Sequence, residues 1–153
     1  MALWFECRVR YDKMKENGIV AKVNEPYLVD ALTFTDAEAR IIEKVTPFIS
    51  GEFSVSVAKK TKIAEIFYDD SYYADKWYLV KFDFISLDER SGKEKKSRNL
   101  ILVQAGDFEN ALGRFQDGMK GVMSDYRIFS ITETLYQDVF PYEYPQEGKN
   151  NPG

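Results

Sequence analysis

The chain has no histidine and a single cysteine among 153 residues. Without imidazole there is no Ser-His or Cys-His nucleophile pair, no histidine general base and hardly any zinc site. Carboxylate, lysine, tyrosine or Mg²⁺ chemistry is all that remains for catalysis. One thiol, Cys7, rules out an internal disulfide, and its place in an alternating apolar run reads as a small buried hydrophobe. No apolar stretch is long enough to span a bilayer, and the opening Met1 to Glu6 lacks the basic-then-apolar layout of a signal peptide. The expectation is a soluble cytoplasmic protein with no membrane partner, no metal and no cofactor. A net charge of −4 argues against a surface that attracts nucleic acid everywhere, yet leaves room for a local basic stripe.

What the chain does have is 44% hydrophobic and 15% aromatic residues, enough to bury a core without staples. Its most informative stretch is Trp77 to Ser86, because the start of the chain repeats it. Phe5, Cys7, Val9 and Tyr11 fall on Tyr78, Val80, Phe82 and Phe84, and Trp4 falls on Trp77, at an offset of 73 (77 − 4 = 73). Side chains alternate faces along a strand, so an offset that keeps the alternation keeps the buried side. The chain therefore reads as two copies of one module.

In the first copy, Leu3 to Tyr11 alternates as a strand, Glu16-Asn17-Gly18 supplies a turn, and a second strand follows from about Ile19 to Leu32. Pro26 inside it cannot donate to a ladder, which predicts a bulge or an unpaired edge. Thr35-Asp36-Ala37-Glu38 reads as a capping box opening a helix with Ile41, Ile42, Val45 and Ile49 on its buried stripe, ended near Pro47 and Gly51. Phe53, Val55 and Val57 and then Thr61, Ile63 and Phe67 predict one long strand or two short ones with a bend near Lys59-Lys60. Tyr68 to Lys76, acidic and tyrosine-rich, is the connection. The second copy repeats the order, with a charged hairpin loop from Asp88 to Lys96 and a helix capped by Asp107 that carries Phe108, Ala111, Phe115 and Met119. Gly113 and Gly118 weaken that helix. Phe53, Ile63 and Phe67 recur as Tyr126, Tyr136 and Phe140.

The predicted class is α+β, a tandem duplication of a β-β-α-β module, mostly antiparallel, its copies either continuing one sheet or packing against one another about a pseudo-twofold axis, with a continuous or barrel-like sheet and two helices on one side favoured. The repeats span 1–70 and 71–141, fused in one compact domain, and 142–153 is a flexible C-terminal tail.

The stretches Trp4-Phe5-Glu6-Cys7, Glu25 to Ala31, Phe48 to Phe53 and Gly118-Met119-Lys120-Gly121 resemble a family of small Bacteroidota proteins of unknown function, carried also in phages and mobile elements. The resemblance covers most of the chain up to Tyr144. It implies a bacterial, cytoplasmic or mobile-element setting, and no catalytic residues.

For function, the leading expectation is a non-catalytic binding module that takes single-stranded nucleic acid on an exposed sheet face, by stacking bases and tracking phosphates. Trp4, Arg8 and Arg10, with Trp77 and Lys81 in the second copy, share the face opposite the apolar one, and Lys59, Lys60 and Lys62 lie on the third strand. The plainer reading of these residues is that both tryptophans close the core and the charges form a solvated face. Asp83 in place of Arg10, and Glu133 in place of Lys60, weaken a symmetric track. The rival function is a protein-interaction or self-assembling module, a homo-oligomer, using a free strand edge or the tyrosines Tyr68, Tyr72, Tyr73, Tyr142 and Tyr144. A carboxylate-metal enzyme comes third: Glu94-Lys95-Lys96 matches half of a Mg²⁺ nuclease motif but sits in a loop, and Asp69, Asp70 and Asp75 lack the spacing of a calcium loop.

Overall fold

A computed structural model of the protein describes residues 3–142. The predicted tail from 143 onward, Tyr144 included, lies outside the described residues. The strands are β1 (Trp4–Met14), β2 (Val20–Asp30), β3 (Phe53–Lys60), β4 (Ile63–Phe67), β5 (Lys76–Leu87), β6 (Glu94–Ala105), β7 (Asp125–Glu133) and β8 (Val139–Phe140); the hairpin loop expected to run through Lys96 stops at Lys93, because Glu94, Lys95 and Lys96 pair with Leu87, Ser86 and Ile85 as the start of β6. The helices are α1 (Phe34–Val45) and α2 (Phe108–Gly118). The fold is α+β and mostly antiparallel.

Where the sequence predicts one sheet with both helices on one side, the chain builds two sheets of four strands and gives each its own helix. The first has the order β3-β1-β2-β8 and the second β4-β6-β5-β7. The cause is the bend after β3. The Thr61 amide and hydroxyl both donate to the Trp4 carbonyl, each at 2.8 Å, and β4 then leaves to pair parallel with β6. The Thr134 amide and hydroxyl do the same to the Trp77 carbonyl, each at 2.8 Å, and β8 pairs parallel with β2. Each half lends a strand to the other half's sheet, so the expected division near residue 70 does not separate the two sheets.

Odd-numbered β1 residues pack under α1: Phe5, Cys7 and Val9 join Val29, Ala31, Ala37, Ile41 and Val45. Val80, Phe82, Ile101, Val103, Phe115 and Met119 form the matching layer under α2. The alternate faces of the two sheets meet at Trp4, Leu28, Ile63, Ile66, Trp77, Leu102 and Val139. The helices therefore lie on the outer faces, and the inner faces share a core. Cys7 is fully buried, and burial, with Glu6 adding to it, pushes its thiol up to about 12.

Local signals differ in detail from the sequence reading. The α1 cap is Thr33, whose hydroxyl accepts the Asp36 amide at 3.1 Å while the Asp36 carboxylate accepts the Leu32 amide. The Thr35-Glu38 pair sits inside the helix, because Phe34 already has helical geometry and packs edge-on against Phe5. In α2 the same exchange is made by Asp107 and Asn110. Pro26 stays in register opposite Arg8 and turns its other side to the edge, where its carbonyl accepts the Gln137 amide at 2.9 Å. The Tyr68 to Lys76 connection is tied down, with Gln104 bridging the Asp69 amide and the Ala74 carbonyl and Arg114 paired to Asp69 at 2.8 Å. Gly118 is required by packing: the Phe67 ring of the exchanged β4 occupies the space a Cβ would fill.

Candidate functional site

Both tryptophans, singled out as a stacking platform, are 5% exposed in the core between the sheets. Neither ring has a face free for a base. Alternation told which side of the strand they occupy; it carried no signal that the second sheet would cover that side.

The basic candidates do not merge into one track. Arg8 is bound to Glu6 at 3.2 Å, and Glu6 is itself nearly buried, accepting the Tyr136 hydroxyl at 2.7 Å. Burial first, and the Glu6 hydrogen bond second, raise the Tyr136 phenol. Arg10, exposed, stands two residues further along the same inner face, opposite Asn24 on one side and Ser54 on the other. Lys59 lies opposite Glu6 and Lys60 opposite Phe5 at the end of β3, and Lys62 is in the link to β4. Lys81 is half-buried on the other sheet, and two residues on Asp83 is held by Arg98 at 2.7 Å. Arg98 covers the exposed Phe129 ring at 4.3 Å.

A cleft of about 450 Å³ at the far end of the first sheet is lined by Arg10, Lys22, Asp12, Glu52, Asn24 and Ser54 among others. Its two cations are matched by two carboxylates, so it offers mixed polar contacts, with no cationic field. Lys22, Asn24, Ser54 and Glu52 were not among the residues the sequence marked. Their only signal was cross-strand register, which the turn near Gly18 left open. Among the described residues no group of three or more His, Cys, Asp or Glu side chains is placed to hold a metal ion. No helix there is long and apolar enough to cross a membrane.

The most open feature is a strand edge. β3 ends its sheet, hydrogen-bonded among the described residues to β1 alone. From Phe53 to Ala58 it carries no charge and no proline; its own bulge falls at Ala58, and Lys59 and Lys60 follow. The remaining edges differ. β7 is interrupted by a bulge that ejects Phe129 and carries Asp125, Arg127 and Glu133, β4 has five residues with Glu65 among them, and β8 has only two. Long unguarded edges invite further strands, and proteins ordinarily block them with charge, proline or bulges.

The family model of a domain of unknown function, DUF4494, matches residues 3–142. The chain belongs to the DUF4494 family. Comparisons with curated proteins and with solved structures find no match. The DUF4494 match spans both sheets and both exchanged strands, so the unit of the family is the whole two-sheet body.

Proposed function

We propose that this DUF4494 domain is a non-catalytic protein-interaction module that works by strand addition at the free edge of β3. The observation that carries it is the uncharged, proline-free run Phe53 to Val57 at the edge of the first sheet, ahead of the β3 bulge at Ala58, where the opposite edge strand β8 has only two residues. Main-chain hydrogen bonds along such an edge supply affinity, and side chains at alternate positions supply selectivity. Exposed apolar side chains support it: Phe48, in the turn leading into β3, is 82% exposed, and Ile42 on α1 is exposed as well.

The single-stranded nucleic-acid reading has less behind it. Its stacking residues are interior, Arg8 is neutralised by Glu6, and acidic side chains stand beside Arg10 and Lys81. The bacterial or mobile-element setting that the family resemblance implies suits either reading.

The test is NMR mapping on the full chain with two probes, a pool of alternating extended octapeptides and a labelled oligonucleotide. Shifts confined to the amides of Ser54 to Ala58 with the peptides support strand addition. Shifts at Arg10, Lys59 and Lys62 with the oligonucleotide, weakening as salt rises, overturn it in favour of phosphate binding.

A further inference from the structure

Resting on the strand-addition reading, we infer that the strand added to β3 is β3 of a second copy of this chain. The two edges would pair antiparallel about a twofold axis through Val55 and join the two first sheets into one.

The segment is self-complementary in that register. Directly opposite residues of an antiparallel pair share a face. Centring on Val55 sets Val55 against its own copy and Phe53 against Val57, on the face toward α1, and Ser54 against Ser56 on the inner face. Within the protomer, Phe53, Val55 and Val57 already pack half-buried against the α1 core, while Ser54 and Ser56 are exposed. Apolar thus meets apolar and hydroxyl meets hydroxyl along the whole seam. At each end Glu52 of one copy falls opposite Ala58 of the other, one residue before Lys59. Such an isologous arrangement closes on itself and needs one surface only. The equivalent edge in the second half cannot do this. There the bulge falls at Phe129, directly beside the equivalent centre Ile128, whereas in β3 it falls at Ala58, beyond the run Phe53 to Val57 that pairs.

Sedimentation equilibrium of the full chain, from micromolar to millimolar, reads the outcome. The expected result is a concentration-dependent rise from the protomer mass of 17.8 kDa to twice that. Two double variants fix the register. Ser54→Glu with Ser56→Glu faces each new carboxylate toward Arg10 or Arg8 within the sheet, so the fold is kept, yet sets carboxylate against carboxylate across the axis. Dimerisation should weaken by roughly tenfold. Ser54→Lys with Ser56→Glu places opposite charges across the axis at both positions and should keep or strengthen it. A mass of 17.8 kDa throughout overturns the inference. So does a dimer that both variants leave equally unchanged. If the chain stays a monomer while octapeptides still shift Ser54 to Ala58, self-pairing fails and strand addition stands; if neither occurs, both fall.

Discussion

Tyr136 and Glu6, 130 residues apart in the chain, are joined by a 2.7 Å hydrogen bond where the two sheets meet. At an offset of 73, Glu6 corresponds to Leu79 and Tyr136 to Ile63, and both of those side chains belong to the apolar inner core. One end of the junction is closed by a hydrogen bond and the other by aliphatic packing.

Removing one partner should cost more than removing both. Tyr136→Phe leaves a nearly buried carboxylate short of a donor and should destabilise by about 1–3 kcal/mol in chemical denaturation. Glu6→Leu combined with Tyr136→Ile, which copies the other end, should cost less than Tyr136→Phe alone. A double variant worse than the single would show that the Arg8 contact to Glu6 carries the pair.

Thr61 and Thr134 each send a hydroxyl to a tryptophan carbonyl at 2.8 Å, at the points where strands cross between sheets. Thr61→Val and Thr134→Val should each cost about 1 kcal/mol, by similar amounts in the two halves. Thermal or denaturant unfolding of both variants checks this, and a marked inequality would mean the two crossings are not energetically alike.

The two glycines of α2 should respond in opposite directions. Gly113 is exposed with open space where a Cβ would go, so Gly113→Ala should stabilise by up to about 1 kcal/mol. At Gly118 a Cβ would meet the Phe67 ring, so Gly118→Ala should destabilise by about 1–3 kcal/mol. Adding Phe67→Leu should recover part of that loss.

Acid should weaken the fold through two carboxylates. The Arg98 hydrogen bond holds Asp83 below the ordinary 3.8, and hydrogen bonds from Ser71, ahead of the Arg114 charge, do the same for Asp69. A carboxylate whose folded value is depressed stabilises above its unfolded value and loses that contribution as pH falls through the folded one. Stability should therefore decline below about pH 4. Asp83→Asn should flatten that decline in an acid titration of unfolding, and an unchanged slope would remove Asp83 from the account.

Much of the candidate site stayed hidden because its parts are relational. The alternation around Trp4 and Trp77 was plain, yet whether the face opposite α1 is solvent or a second sheet is a property of the partner strand. Phe53 to Ala58 reads as a strand at sight. That it ends a sheet depends on β1 lying between β3 and β2. Lys22 and Asn24 join Arg10 only through a hairpin register that one residue of turn length would change.

By itself the sequence determined which segments are extended, which are helical and which face of each is apolar, because periods of 2 and 3.6 and the side chains of Thr33, Asp107 and Pro47 act locally. Tertiary structure alone decided that β4 and β8 cross to the other sheet, that the tryptophans are interior and that β3 is left open. Neighbours in a sheet are chosen by backbone hydrogen bonds, which every residue but proline offers alike, so the choice is made by the packing of the whole and leaves no mark on any one segment.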